Sequence, residues 1–355
     1  MIKFIYSSLG WNQNRRLQMP RMKVVQATRP GALEIVERDI PKPGHFQVRI
    51  KVHACGICHS DSYTNEGLWQ GVVYPRVPGH EVAGTVDEVG EGVTQWKKGQ
   101  RVGIGWAGGH CGECIPCRKG EFVACIKQKI TGIHYDGGYG EYMIAPVEAL
   151  AAIPESLSFE EAAPLLCAGI TTFNALRHST ARAGDLVAIS SIGGLGHLAL
   201  QFSNKMGFKT VGISHGNEKE ELARKLGAHF YIDSSKVNVA DELQKLGGAT
   251  VILSTTPSGK ATTPLIEGLG LGGELVVVGA ASDPIEVTSL QLIRLKRTIR
   301  GWASGSSLDS EEALKFCALT GIRPMIEKFP LEKAHDAYQH MMTNRARFRS
   351  VLVNE

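Results

Sequence analysis

The chain has 355 residues, of which 43% are hydrophobic and 21% are charged, values typical of a globular protein. Its 39 basic and 35 acidic residues leave a net charge of +4, too weak to indicate nucleic acid or an anionic membrane as a partner. The length predicts two domains, and no apolar run approaches the roughly 18 residues that a membrane span needs.

Residues 1–21 carry Lys3, Arg15, Arg16 and Arg21 and no acidic residue. Two interpretations are open: a loose N-terminal extension, which we favour, and an organelle-targeting segment. The eight cysteines, several with metal-type spacing, are typical of a reducing compartment, so we expect a cytoplasmic protein.

A β-rich region follows from Met22. The segment 48–52 alternates apolar and polar residues, which is the period of a half-buried strand, and segments 81–89 and 101–104 are similar. Glycines separate these segments. We therefore predict a β-rich domain over residues 22–168.

Four cysteines within residues 108–127 form the most specific motif of the chain, spaced C-x2-C-x2-C-x7-C: Cys111, Cys114, Cys117 and Cys125. Four thiolates at this density are typical of a closed, tetrahedral structural zinc site. Disulfides are an alternative. An iron–sulfur cluster is another, but its usual run has a shorter last gap and a following proline, whereas Ile126 follows here. A structural zinc does no chemistry, so the catalytic residues must lie elsewhere.

Short apolar strands alternate with helical stretches from Gly184 onward. The predicted strands are 186–190, 210–214, 230–233, 251–254, 275–279 and 298–302, and the predicted helices are 195–206, 218–226 and 240–246. This alternation predicts an α/β fold with a doubly wound, parallel six-stranded Rossmann sheet over residues 169–304. The rest, 305–355, is predicted to contain helices over 311–319 and 332–342 and a strand over 350–353, and to return to the first domain.

The turn Ser191–Gly196 follows the first of these strands and opens a helix, as in dinucleotide-binding folds. Backbone N–H groups at a helix N-terminus favour a pyrophosphate. Ser191 replaces the first glycine of the usual motif, and a plain tight turn is the alternative interpretation. The residues expected to contact the cofactor here are Gly193, Gly194, Leu195 and Gly196.

The second strand ends at Ser214, where an NAD-binding fold usually has an acidic residue for the ribose 2′-hydroxyl. Its absence, with His215 and Lys219 nearby, favours NADP(H) over NAD(H). All three could instead be ordinary surface residues.

Further metal-binding residue types lie in Cys55–Asp61, Pro78–Glu81 and Leu166–Thr171. Two thiolates, one imidazole and an open position make a catalytic zinc site. With these motifs in this order, residues 22–353 resemble the zinc-dependent medium-chain alcohol dehydrogenases, nearest the yeast-type tetrameric enzymes. The resemblance implies a GroES-like catalytic domain, two zinc ions per chain and a homotetramer.

The resemblance also implies roles for individual residues. Cys58, His80 and Cys167 would hold the catalytic zinc, with Glu81 as a transient ligand and Asp61 orienting His80. Cofactor contacts would come from His59, Thr171 and Arg349.

The implied reaction transfers a hydride between the alkoxide of a zinc-bound alcohol and NAD(P), with the proton leaving through Ser60. Many relatives have a histidine three residues later, where this chain has Tyr63, a poor base near neutral pH. Trp69 and Trp106 match bulky pocket positions, which predicts small to medium primary alcohols or aldehydes. Core packing is the alternative for either tryptophan.

Three rival classes are weaker. A zinc-free quinone reductase would lack both ligand sets, and a catalytically inactive relative would not need them intact. A scaffold protein that binds nucleic acid through its four cysteines would need a basic stripe beside them, which the sequence lacks.

Overall fold

The computed structural model describes residues 20–354. The predicted extension over 1–21 therefore lies almost wholly outside the described residues. The strands are β1 (Arg21–Arg29), β2 (Ala32–Asp39), β3 (Gln47–Gly56), β4 (Val82–Val89), β5 (Arg101–Ile104), β6 (Ala107–Gly109), β7 (Lys129–Ile130), β8 (Tyr142–Pro146), β9 (Leu150–Ala152), β10 (Leu186–Ser190), β11 (Lys209–Ser214), β12 (Phe230–Asp233), β13 (Ala249–Ser254), β14 (Leu269–Val277), β15 (Thr298–Gly301), β16 (Ile326–Pro330) and β17 (Arg349–Val353).

The helices of the described chain are mostly short. They are α1 (Ser62–Asn65), α2 (Ile115–Arg118), α3 (Phe159–Pro164), α4 (Ile170–Arg177), α5 (Gly196–Lys205), α6 (Glu220–Lys225), α7 (Val239–Lys245), α8 (Gly259–Thr262), α9 (Ser289–Ile293), α10 (Ser307–Thr320) and α11 (Ala334–Met342). A single π-helical turn, Leu165–Gly169, joins α3 to α4. Among residues 20–354, no helix is both long and apolar enough to cross a membrane.

The predicted six-stranded parallel sheet is confirmed, in the order β12-β11-β10-β13-β14-β15. Strand β10 is buried along its whole length, as expected for a central strand covered by helices on both faces. One hydrophobic cluster lies on each face of this sheet. The strands follow one another outward from β10 in both directions, with β11 and β12 on one side and β13 to β15 on the other. Such folds bind ligands in the crevice where the strand order reverses, beside β10.

The β-rich part forms a second sheet in the order β16-β17-β3-β4-β5-β9, with β8 also pairing β3. Strand β17 runs antiparallel to β3, with Val351 opposite Gly56. The C-terminal segment thus returns to the first sheet, as the sequence predicts. This return places Arg349, at the start of β17, beside the end of β3.

Some element boundaries differ from the prediction. Strand β14 was predicted over 275–279 but runs Leu269–Val277, because its glycine-rich first half pairs irregularly with Ala249. Helix α9 has no buried residue and therefore no hydrophobic period for a sequence to reveal. Helix α10 begins four residues before the predicted Glu311, at a capping box formed by Ser306 and Asp309.

Candidate metal and cofactor site

Two sulfurs, an imidazole and a carboxylate converge where β3 ends and β4 begins. One ligand atom from each of Cys58, His80, Glu81 and Cys167 lies within 4.8 Å of the others. The two Sγ atoms are 3.8 Å apart, so they form no disulfide. His80 Nε2 and Glu81 Oε2 are buried without a hydrogen-bond partner. Since unpartnered buried polar atoms are costly, this donor set fits a zinc ion.

The backbone explains how these side chains meet. Cys58 follows β3 and is the N-cap residue of the short 3-10 turn His59–Asp61. His80 follows Gly79, whose φ of +99° is a conformation that favours glycine. Cys167 lies at the centre of the π-helical turn, a feature frequent at functional sites.

Asp61 lies directly behind His80. Its Oδ1 is 2.9 Å from His80 Nδ1, and its Oδ2 accepts a hydrogen bond of 2.9 Å from the backbone N–H of Cys58. A proton on Nδ1 leaves the lone pair of Nε2 free to face the two sulfurs. Asp61, which was predicted to orient His80, is thus within hydrogen-bond distance of His80 Nδ1.

The charges of the cluster are strongly coupled. The hydrogen bond between the thiols of Cys58 and Cys167 lowers the pKa of Cys58 well below its usual value and raises that of Cys167 well above it. Burial lowers the pKa of His80, but the charge and hydrogen bond of Asp61 outweigh burial and raise it. Burial raises the pKa of Glu81 to about 7, against the opposing charge of Arg349. The protonation of each of these groups therefore depends on the others, as expected for donors that share one small buried volume.

Arg349 connects this cluster to the glycine turn. It is buried, forms an ion pair with Glu81, and donates from Nη2 to the carbonyl of Ile57 at 3.2 Å. Its Nη1 would lie 2.9 Å from a Cβ added at Gly194. A guanidinium between a carboxylate and the turn suits the predicted contact with a pyrophosphate.

The turn itself is tightly built. Ser191 has a φ of +74°, so it adopts the left-handed conformation that a glycine usually supplies there. A Cβ on Gly196 would lie 1.9 Å from the Ser191 carbonyl oxygen, whereas a Cβ on Gly193 would meet nothing within 4 Å. Gly196 closes the turn, and Gly193 leaves its outer face open.

The three residues at or near the end of β11 that were predicted to select the cofactor differ in exposure and in contacts. Ser214 is half-buried and His215 is exposed, both at the strand end. The side chain of Lys219 instead reaches the glycine turn, where its Nζ donates to the carbonyl of Ile192 at 2.8 Å. Asp233 is paired in register with Ser214, and its Oδ1 accepts from the N–H of Gly216 at 2.8 Å.

Three aromatic side chains stand beside the metal ligands. The Trp106 ring is edge-on to His80 at 5.0 Å, while Trp69 and Tyr63 are edge-on to Trp106 at 6.3 and 6.0 Å. Tyr63 and Trp69 also contact each other, at 5.6 Å. The two predicted pocket residues are therefore brought together, and Tyr63 belongs to the same wall.

The other predicted contacts surround this cluster. His59 is exposed, Ser60 is half-buried on the same 3-10 turn, and Thr171 is buried in the first turn of α4, just after the π-helical turn. Two neighbours escaped the sequence analysis: Tyr139, which contacts Asp61, and His197, which contacts the glycine turn. Neither lies in a metal motif, although His197 directly follows Gly196.

The second group of cysteines forms a separate cluster. Sulfur–sulfur distances among Cys111, Cys114, Cys117 and Cys125 range from 3.4 to 4.0 Å. A tetrahedron with zinc–sulfur bonds of about 2.3 Å has edges of about 3.8 Å. These distances are far too long for disulfides. The geometry fits a structural zinc.

Comparison with known proteins gives a consistent picture. Residues 44–155 match the family model described as alcohol dehydrogenase GroES-like domain, and residues 194–318 match the model described as zinc-binding dehydrogenase. The chain is 47% identical over 320 residues to alcohol dehydrogenase patD of Penicillium expansum, covering 90% of this chain and 93% of that protein.

More distant relatives are also described as alcohol dehydrogenases. An alcohol dehydrogenase of Geobacillus stearothermophilus is 37% identical over 322 residues, covering 90% of this chain and 96% of that protein. Among solved structures, a cinnamyl alcohol dehydrogenase from Sorghum bicolor superimposes with a TM-score of 0.84 at 31% identity, covering 94% of this chain and 97% of that one.

Proposed function

The chain belongs to the zinc-dependent medium-chain alcohol dehydrogenase family, and from this membership we propose that it interconverts small to medium primary alcohols and their aldehydes at a zinc held by Cys58, His80 and Cys167. As an alcohol dehydrogenase it is an oxidoreductase acting on small molecules, with an NAD(P)-binding fold. The observation that carries the proposal is the unpartnered His80 Nε2, buried against two thiols.

A zinc ion bound there supplies a Lewis acid that lowers the pKa of an alcohol. The residues of the chain orient the metal ligand and accept the proton. Asp61 holds the Nδ1 side of His80, so that Nε2 faces the cluster. Ser60, half-buried on the adjoining turn, would accept the hydroxyl proton. Because Tyr63 follows where relatives have a histidine, the proton would leave through water or the cofactor ribose.

The cofactor is proposed to lie along the glycine turn, with its pyrophosphate at the N-terminus of α5. Arg349, between Gly194 and Glu81, would bring positive charge to it. We favour NADP(H), since Ser214 rather than an acidic residue ends β11 and the exposed His215 follows it. The nearby Asp233 opposes this preference, although its Oδ1 is engaged by Gly216 and Ser235.

The aromatic wall of Trp69, Trp106 and Tyr63 supports a narrow pocket with flat, apolar sides. Such a wall accommodates an unbranched or planar primary alcohol better than a bulky secondary one. The name of the sorghum neighbour gives cinnamyl alcohol, which has these properties, as that protein's substrate. Assembly as a homotetramer stays a prediction from the resemblance, and a cytoplasmic location stays a prediction from the cysteine content.

Metal analysis and kinetics test the proposal. We expect two zinc ions per chain, and kcat/KM values for ethanol, hexanol and cinnamyl alcohol well above those for branched secondary alcohols, with NADP+ and NAD+ compared. Cys167→Ser should lose the catalytic zinc and the activity. Cys317→Ser is the matched control, because Cys317 is fully buried away from both clusters. Full activity of Cys167→Ser would refute the assignment.

A further inference from the structure

The hydroxyl of Tyr139 reaches the carboxylate behind the proposed catalytic metal. Tyr139 is fully buried, and its Oη donates to Asp61 Oδ2 at 2.9 Å. The other oxygen of Asp61 faces His80 Nδ1. We infer that Tyr139 is a positioning residue for the metal centre, whose hydroxyl holds the Asp61 carboxylate in the orientation that aims His80 at the zinc. The inference rests on the proposed function.

Tyr139 is anchored to the loop that carries His80 as well as to Asp61. Its backbone N–H donates to the carbonyl of Pro78 at 3.1 Å. Its ring lies against Gly79, where an added Cβ would be 2.5 Å from Tyr139 Cδ1. The left-handed glycine before His80 thus makes room for this ring. Tyr139 therefore contacts both the backbone that precedes His80 and the Asp61 carboxylate that faces His80 Nδ1.

The hydroxyl completes the hydrogen bonding of a buried charge. Asp61 is 3% exposed, so protein groups must satisfy its oxygens. Oδ2 receives two donors, the N–H of Cys58 and the hydroxyl of Tyr139, and Oδ1 faces His80. Removing the hydroxyl leaves a dry carboxylate one donor short, so it loses one of the three contacts that hold its orientation. Losing the direct partner of a metal ligand typically costs about 10- to 100-fold in metal affinity, and Tyr139 acts through such a partner.

The chain offers a matched control in Tyr338. Its ring is 3% exposed, and its hydroxyl also donates to a carboxylate, Glu66 Oε1, at 2.8 Å. Tyr338 and its partner Glu66 make no hydrogen bond with Asp61 or His80 among the described residues. Tyr338→Phe therefore removes a buried hydroxyl from the same region but leaves the hydrogen bonds of the Asp61 carboxylate intact. Phenylalanine keeps the ring, and hence the packing, in both variants.

The experiment measures zinc release at each site separately. Wild type, Tyr139→Phe and Tyr338→Phe holoenzymes are challenged with EDTA and alkylated with iodoacetamide at timed intervals, and peptide mass spectrometry follows each cysteine. We expect Cys58 and Cys167 to become alkylated severalfold, and at most about 10-fold, faster in Tyr139→Phe, because loss of the hydroxyl acts through Asp61 rather than on a ligand directly. The four cysteines of the second cluster should react at the wild-type rate, and Tyr338→Phe should match wild type throughout.

A double-mutant cycle with Asp61→Asn tests whether Tyr139 acts through Asp61. The combined variant should release zinc more slowly than the product of the two single effects predicts. Additive effects, an unchanged rate in Tyr139→Phe, or equal acceleration at both clusters or in Tyr338→Phe would overturn the inference. If wild-type Cys58 and Cys167 react before any chelator is added, the proposed function fails instead.

Discussion

The two glycines at either end of the cofactor turn differ in what a single methyl group would meet. At Gly196 it would collide with the Ser191 carbonyl, and at Gly193 it would project into open space. Gly196 is required by the fold of the turn itself. Gly193 is required only if a ligand approaches it.

We therefore expect Gly196→Ala to lower the free energy of unfolding by about 1–3 kcal/mol, because the backbone must shift to relieve the clash. Gly193→Ala should keep wild-type stability and weaken cofactor binding. Thermal unfolding without cofactor and fluorescence titration with NADPH measure the two effects. Equal stability of the two variants would contradict the collision at Gly196.

The residue at the end of β11 is expected to control cofactor choice. A carboxylate at Ser214 would repel a 2′-phosphate and bind a 2′-hydroxyl. Ser214→Asp should therefore shift the kcat/KM ratio from NADPH toward NADH by about 10-fold or more, which corresponds to about 1.4 kcal/mol. The exposed Ser156 offers a remote control, Ser156→Asp. No change in the ratio would remove Ser214 from the ribose site.

At the scale of elements, the N-terminus of α5 is tied to the segment that leads into β16. The fully buried His197 contacts the carbonyl of Gly193 through Nδ1 at 3.0 Å, and its Nε2 accepts from the N–H of Met325 at 3.2 Å. Nε2 can accept only while the ring is neutral, and burial lowers the pKa of His197 to about 4. The glycine turn is thus held to the returning chain by an uncharged imidazole.

This contact gives stability a pH dependence. A folded pKa of about 4 lies below the unfolded value of about 6.5, so the unfolded chain binds the extra proton between these pH values. Stability should fall as the pH is lowered through this window, by about 2 kcal/mol at pH 5. Urea unfolding of wild type and His197→Gln at pH 7 and pH 5 isolates the effect. Parallel losses in both proteins would exclude His197 as the source.

The sequence predicted some elements and missed others for physical reasons. Buried strands such as β10 stand out because every residue is apolar or small, and the four-cysteine motif stands out by its spacing. The set Cys58, His80 and Cys167 has no such spacing and was assigned only through the family resemblance. Helix α9 buries nothing and leaves no pattern. The contact between Tyr139 and Asp61 could not be predicted from the sequence, because the two residues are 78 positions apart and only the fold brings them together.

At the scale of the whole molecule, the C-terminal strand completes the first sheet. Strand β17 pairs both β16 and β3, and it carries Arg349, the buried partner of Glu81. A buried carboxylate without its partner typically costs about 3–5 kcal/mol. The last strand therefore stabilises a sheet whose strands β3 to β9 lie about two hundred to three hundred residues earlier.

A chain truncated after Thr343 tests this dependence. We expect it to lose the catalytic zinc and to unfold at a markedly lower temperature than the full chain, since β3 gains an unpaired edge and Glu81 loses its counter-charge. Calorimetry and metal analysis of the truncated and full chains measure both effects. Retention of two zinc ions and of the full melting temperature would show that β17 is dispensable.

The same return has a consequence for biosynthesis. On a translating ribosome, Cys58 and His80 emerge long before Arg349 and before the strand that pairs with the end of β3. Until Arg349 emerges, Glu81 lacks the positive charge with which it pairs in the folded chain. We therefore expect the proposed catalytic zinc to be taken up only after the intervening nucleotide-binding segment has been synthesised.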